Sequence, residues 1–168
     1  MTPEQRDSLK WFRRQAVWLN RQPIAWDQVA FPTAILLNDL SERLGHPLLL
    51  IRGNHGPDGS AVDFCCPDVP FRRLVMEVLR LPCSYGIYTG LSIHADTRPL
   101  NPGQLPARWI AMKHDEESYL GPMVELIYRR ADGWSYLAWS HENSWEALRI
   151  AVNLAELKSG DRARISAV

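Results

Sequence analysis

Apolar positions recur at helical spacing near the start of the chain. Leu9, Phe12, Ala16 and Leu19 share one face, Thr2 with Gln5 has the form of a capping box, and Pro3 suits a first turn, so a helix is expected from Thr2 to Asn20, ended by Pro23. A second helix is expected from Thr33 to Leu44, with Ile35, Leu36, Leu40 and Leu44 on its apolar side and Gly45 and Pro47 as its stop. Leu48 to Arg52 reads as a short buried strand, Gly53 to Ser60 as a glycine-rich loop, and Ala61 to Cys65 as a second strand. Pro70 to Leu81 returns to helical spacing through Phe71, Leu74, Val75, Val78 and Leu79. Gly86 to Gly90 reads as a turn, Leu91 to Thr97 alternates as a strand, and Asn101 to Pro106 is an irregular loop.

Beyond Trp109 the pattern changes. Met123 to Arg130 and Trp134 to Ser140 flank Ala131-Asp132-Gly133, which is a hairpin signature. Asn143 and Glu146 then form a capping box for a helix running to about Lys158, with Trp145, Leu148, Val152 and Ala155 on its apolar side. The expected fold is α+β: a small antiparallel sheet flanked by helices, with a C-terminal hairpin-plus-helix extension. A soft boundary at 111–120 divides the chain into a main unit, 1–115, and an appendage, 116–168, packed on the core.

Composition narrows the function classes. A chain of 168 residues, 46% apolar, with a mean hydropathy of −0.24, has the profile of a soluble globular protein. Nineteen basic residues against nineteen acidic ones leave no basic excess for nucleic acid. The longest uncharged apolar run, Pro47 to Ile51, is too short for a membrane span. The N-terminal residues Glu4, Arg6, Asp7 and Lys10 interrupt any apolar leader, so the expected location is the cytoplasm, with release on lysis if the chain is of phage origin. Three cysteines, two of them the neighbours Cys65 and Cys66, form neither a disulfide framework nor a CxxC zinc site and read as buried thiols. Composition leaves the oligomeric state open.

Two stretches carry candidate chemistry. His55-Gly56-Pro57-Asp58-Gly59-Ser60-Ala61-Val62-Asp63 puts a histidine in a loop and an aspartate in the strand that follows. In Ser92-Ile93-His94-Ala95-Asp96, strand alternation points Ser92, His94 and Asp96 to one face, about 7 Å apart in succession. If the two strands are neighbours, His55, Asp63 and His94 converge, and two imidazoles with one carboxylate suit a zinc ion that keeps a fourth position for water. An ordinary half-buried strand would show the same alternation around His94.

Four blocks in order resemble the zinc D-alanyl-D-alanine peptidase family of cell-wall carboxypeptidases, dipeptidases and phage endolysins. They are Leu36 to Leu48; Ile51-Arg52-Gly53; His55 through Asp63, similar to a His-x-x-Gly-x-Ala-x-Asp motif; and Gly86-Ile87-Tyr88, Ser92 to Arg98 and Arg108-Trp109, similar to the Gly-x-Tyr, His-x-Asp and Arg-Trp signatures. The resemblance covers about residues 34–110. It departs from the family where Pro57 and Asp58 lengthen the first motif by one residue, and where Leu91 and Ser92 stand in place of an acid before His94. What it implies is zinc bound by His55, Asp63 and His94, Asp96 or Asp58 as the proton-transferring carboxylate, and Arg52 facing a substrate carboxylate or oxyanion. Asp96 could instead orient His94 through its other ring nitrogen. The implied substrate is a peptidoglycan stem or another D-alanine-containing peptide. The alternative is a catalytically inactive, metal-free relative serving as a binding or structural module.

Overall fold

The computed structural model describes residues 1–11, 29–52, 58–88, 91–113, 127–129, 134–139 and 144–158. Seven strands form one sheet: β1 (Leu49–Arg52), β2 (Ala61–Cys65), β3 (Ser84–Tyr88), β4 (Ser92–Asp96), β5 (Arg108–Lys113), β6 (Ile127–Arg129) and β7 (Trp134–Ala138). Their spatial order is β1-β2-β4-β3-β5-β7-β6. Every neighbouring pair is antiparallel except β3 and β5, which run parallel. Among the described residues, four helices accompany the sheet, α1 (Pro3–Asp7), α2 (Phe31–Leu44), α3 (Phe71–Val78) and α4 (Ser144–Lys158). The fold is α+β with a C-terminal hairpin and helix. β7 pairs directly with β5, so the sheet continues across the connection in which the expected 115/116 boundary falls.

Register organises this sheet. Leu50, Phe64, Ile93, Ile87, Ile110 and Leu137 stand opposite one another in turn, from β1 across to β7. Each is buried, and together with Ala34, Leu37, Leu40 and Leu44 of α2, Leu74, Val75 and Val78 of α3, and Ala147, Leu148 and Ala151 of α4 they make one apolar core. One position along each strand, side chains leave the opposite face. That adjacent row reads Asp63, His94, Gly86, Trp109, Ala138, and Arg52 pairs with Asp63 past an irregularity in β1.

The connection from β4 to β5 passes the end of β3, placing β4 on one side of that strand and β5 on the other. It is fastened where it passes: Tyr85 N–H donates to Ala107 O at 3.0 Å, and Ala107 N–H donates to Ser84 Oγ at 2.9 Å.

Several elements differ from the sequence reading for identifiable reasons. The capping box of Thr2 and Gln5 is formed, yet α1 ends at Asp7. The chain then binds α2 instead of continuing the helix: Trp11 N–H donates to Asn38 Oδ1 and Lys10 pairs with Glu42. Residues 12–20 of the expected helix lie outside the described residues.

Helix α2 keeps Leu36, Leu40 and Leu44 of its expected face against or in the core but is rolled so that Ile35 points outward. It buries Thr33, Ala34, Leu37, Leu40, Ser41 and Leu44, whereas Ile35 is 39% exposed. The Thr33 hydroxyl accounts for this, since it lies 3.2 Å from Ser60 O and 2.7 Å from Thr97 Oγ1. Gly45, at φ 74°, ends the helix as expected, its N–H donating to Ser41 O at 2.8 Å.

Gly86 does not begin a turn; it is the centre of β3. Trp145, expected on the apolar side of α4, is 75% exposed, and Ala147 and Ala151 flank Leu148 in the core instead. The expected cap Asn143 and the hairpin turn 131–133 lie outside the described residues.

The rotation of α2 is directly testable by chemical denaturation. Leu37→Ala should cost about 2–5 kcal/mol by leaving a cavity in the core. Ile35→Ala, on the exposed side, should stay within about 1 kcal/mol of wild type.

Candidate functional site

β2 and β4 are neighbours, as the sequence argument required, and Asp63 lies directly opposite His94. The side chains meet: His94 Nδ1 stands 2.8 Å from Asp63 Oδ1. Both are mostly buried, with side-chain exposures of 16% and 22%. They reach this position because their strands alternate, Val62 and Phe64 entering the core on one side of Asp63, Ile93 and Ala95 on one side of His94.

On the far side of the imidazole is Trp109. Its ring lies 5.6 Å from that of His94, centroid to centroid, tilted by 44°. Gly86 of β3 stands between the two residues in register, and the indole lies over it so closely that a Cβ there would be 2.3 Å from Cε2 and Nε1. The Trp109 N–H is buried without a hydrogen-bond partner, a loss of about 1–3 kcal/mol. Trp109 also lines a cleft of about 510 Å³ with Tyr88, Arg108, Tyr136 and Trp139. Trp109 therefore borders both the imidazole and this aromatic cleft.

The remaining candidates fall in different places. Arg52 stands opposite Asp63 in the β1–β2 pairing, just past an irregularity in the register. Asp96 shares the face of His94, but its carboxylate is taken by Arg98, whose backbone N–H donates to Oδ1 at 2.9 Å and whose Nε donates to Oδ2 at 2.8 Å, with Nη2 on Oδ2 as well. Burial pushes the Asp96 carboxyl up, but the Arg98 hydrogen bonds and charge outweigh it and hold the group below its ordinary value. A carboxylate so held is a weak proton acceptor. Asp58 lies exposed in the turn before β2, where Ser60 holds its carboxyl low and the Ser60 N–H donates to Oδ1 at 3.1 Å. His55 lies outside the described residues. Among the described residues, no three His, Cys, Asp or Glu side chains stand within reach of one metal ion.

Asp63 and His94 themselves fit a zinc ion. Two donors on a tetrahedral zinc, each at about 2.0–2.1 Å, stand about 3.3 Å apart, so a small opening of the 2.8 Å contact would admit one. The carboxylate and imidazole are also suitable donor types.

Cys66 and Cys83 are not part of this centre. Cys66 is in the core with its Sγ 3.6 Å from Pro47 O, and burial pushes its thiol up. Burial pushes the Cys83 thiol up to about 11.

Gly86 and Trp109 acquire their role only in three dimensions. The available signal was a glycine inside an alternating segment, which marks close approach of another group in a strand as readily as a turn. Comparison with family models, with curated proteins and with solved structures gave no match to this chain. No described helix is long and apolar enough to cross a membrane.

Two outcomes follow from these environments. Because the native Asp96 value is depressed, the stability it contributes is complete above the ordinary carboxylate range and is lost as pH falls through the native value. Arg98→Leu removes the guanidinium but keeps the backbone N–H of residue 98 and the nearby His94, so the depression shrinks; urea melts between pH 7 and pH 3 should show the wild type losing more stability than this variant. Iodoacetamide at pH 8 should modify Cys83 on the order of 100-fold more slowly than a free cysteine, with a rate that climbs toward pH 11.

Proposed function

We propose that this protein is a zinc-dependent peptidase acting on peptide stems of the bacterial cell wall or other D-alanine-containing peptides. The observation that carries the reading is the 2.8 Å contact between Asp63 and His94 across β2 and β4. It lends the four-block resemblance a physical basis, because the two motifs supplying these residues are far apart in sequence and adjacent in the sheet.

In this reading Asp63 and His94 supply an oxygen and a nitrogen donor, and His55 is the third. Zinc held by them supplies Lewis-acid polarisation of the scissile carbonyl and a bound water of lowered pKa. Asp63 and His94 are set on paired strands, so little rearrangement is needed to bring them to a common ion. Both carboxylates proposed for proton transfer are held low, but Asp58 is solvent-accessible, whereas both oxygens of Asp96 are taken by Arg98. The reading therefore gives the proton to Asp58 and makes Asp96 with Arg98 a clamp at the end of β4. Arg52, in register with Asp63, binds the substrate carboxylate or developing oxyanion. A chain of phage origin would meet its substrate on lysis.

A second reading draws on the same contact. Asp63 and His94 already satisfy each other, which suits a metal-free module that binds cell-wall peptide through the aromatic cleft without cleaving it.

Metal analysis after zinc loading and gel filtration separates the two. The peptidase reading expects about one zinc per chain in the wild type, little in Asp63→Ala and His94→Ala, and chelator-sensitive release of D-alanine or a dipeptide from stem peptides. Asp58→Ala should retain zinc and lose turnover by about 10²-fold or more. Equal, negligible zinc in the wild type and both ligand variants would end the peptidase reading, and stem-peptide binding without hydrolysis would establish the module.

A further inference from the structure

A side chain at position 86 would occupy the space that the Trp109 indole fills. Gly86 is the cross-strand partner of both His94 and Trp109, so its missing side chain is a slot through which a residue two strands away reaches the imidazole. On the other side, Asp63 Oδ1 meets the imidazole Nδ1. The Trp109 ring, 5.6 Å from the imidazole centroid and tilted by 44° to it, is a second contact on the imidazole besides that carboxylate. A rigid ring packed alongside restrains the plane of the imidazole. The indole keeps this place although its own N–H is left without a partner, an arrangement better suited to holding a neighbour than to filling space.

We infer that Trp109 is a positioning residue for His94, and that Gly86 is the opening that lets it act. The inference rests on the zinc reading for its consequence, since the orientation so fixed is the one in which His94 meets both Asp63 and a metal ion. Gly86 touches neither metal nor substrate in this account, so its effect must pass through the indole.

The test measures zinc affinity by competition with a chromophoric chelator, and the visible spectrum of the cobalt(II)-substituted protein, for the wild type, Gly86→Ala, Trp109→Leu and Trp109→Phe. Gly86→Ala and Trp109→Leu should bind zinc about tenfold more weakly or worse and shift the cobalt bands, whereas Trp109→Phe, which keeps a ring in place, should stay within about threefold. Wild-type affinity and an unchanged cobalt spectrum in both Gly86→Ala and Trp109→Leu would overturn the inference. Should either variant fail to fold, the other decides together with Trp109→Phe.

A metal-free readout keeps the two proposals separable. Nuclear Overhauser contacts between the His94 and Trp109 rings should be present in the wild type and lost in Gly86→Ala. Their loss in a protein that binds no zinc would uphold the brace and remove the peptidase. Their persistence in Gly86→Ala would remove the brace whatever the metal content.

Discussion

The register of the sheet is the constraint on which everything else depends. A strand that slips by one residue turns its whole apolar set from the core to the opposite face. Here that penalty is levied across six strands, because Leu50, Phe64, Ile93, Ile87, Ile110 and Leu137 lie in a single buried row. Burying an aliphatic or aromatic side chain is worth about 1.5–3 kcal/mol, so no strand can shift without forfeiting several such contributions along its length. The neighbouring row is thereby fixed without having to be stabilised itself. Asp63, His94, Gly86 and Trp109 are held in line by residues that take no part in chemistry.

Two carboxylates on that face illustrate how neighbours divide roles. Asp63 meets an imidazole, a partner that can give up its contact to a third group. Asp96 meets a guanidinium that remains charged at any ordinary pH and grips both oxygens. The first arrangement is adaptable and the second is permanent, although the residues are the same and the strands adjacent. A related contrast holds on the core face, where Arg108 is 7% exposed and its guanidinium rests over the Tyr85 ring, 5.4 Å from its centroid, with Nε unpartnered. There the aromatic face takes part of the role that a carboxylate takes at Arg98.

Much of the architecture was legible in the sequence where local signals agreed with burial. The strand Ala61 to Cys65 and the helix stop at Gly45 are as expected, because alternation and left-handed glycine are local requirements. The juxtaposition of Asp63 and His94 was legible too, since both residues stand at the middle of strands bounded by clear turns. What escaped was set by distant partners. The roll of α2 depends on Thr33 finding Ser60 and Thr97, and a hydrophobicity count cannot register a hydroxyl seeking a carbonyl. The early end of α1 depends on Asn38 and Glu42 capturing residues that would have continued the helix. Gly86 reads as a breaker by composition and serves as a strand centre because an indole needs its vacancy.

The passage of the β4–β5 connection around the end of β3 also sets how local each pairing of the centre is. β3 and β4 are close in sequence, Tyr88 and Ser92 ending and starting them, and pair at small entropic cost, bringing Gly86 beside His94. β5 joins the vacant edge of β3 only after the chain has travelled past that strand's end. Gly86 and His94, about eight positions apart, are thus the most local pair of the centre, while Trp109 and Asp63 are both brought to it from much farther along the chain.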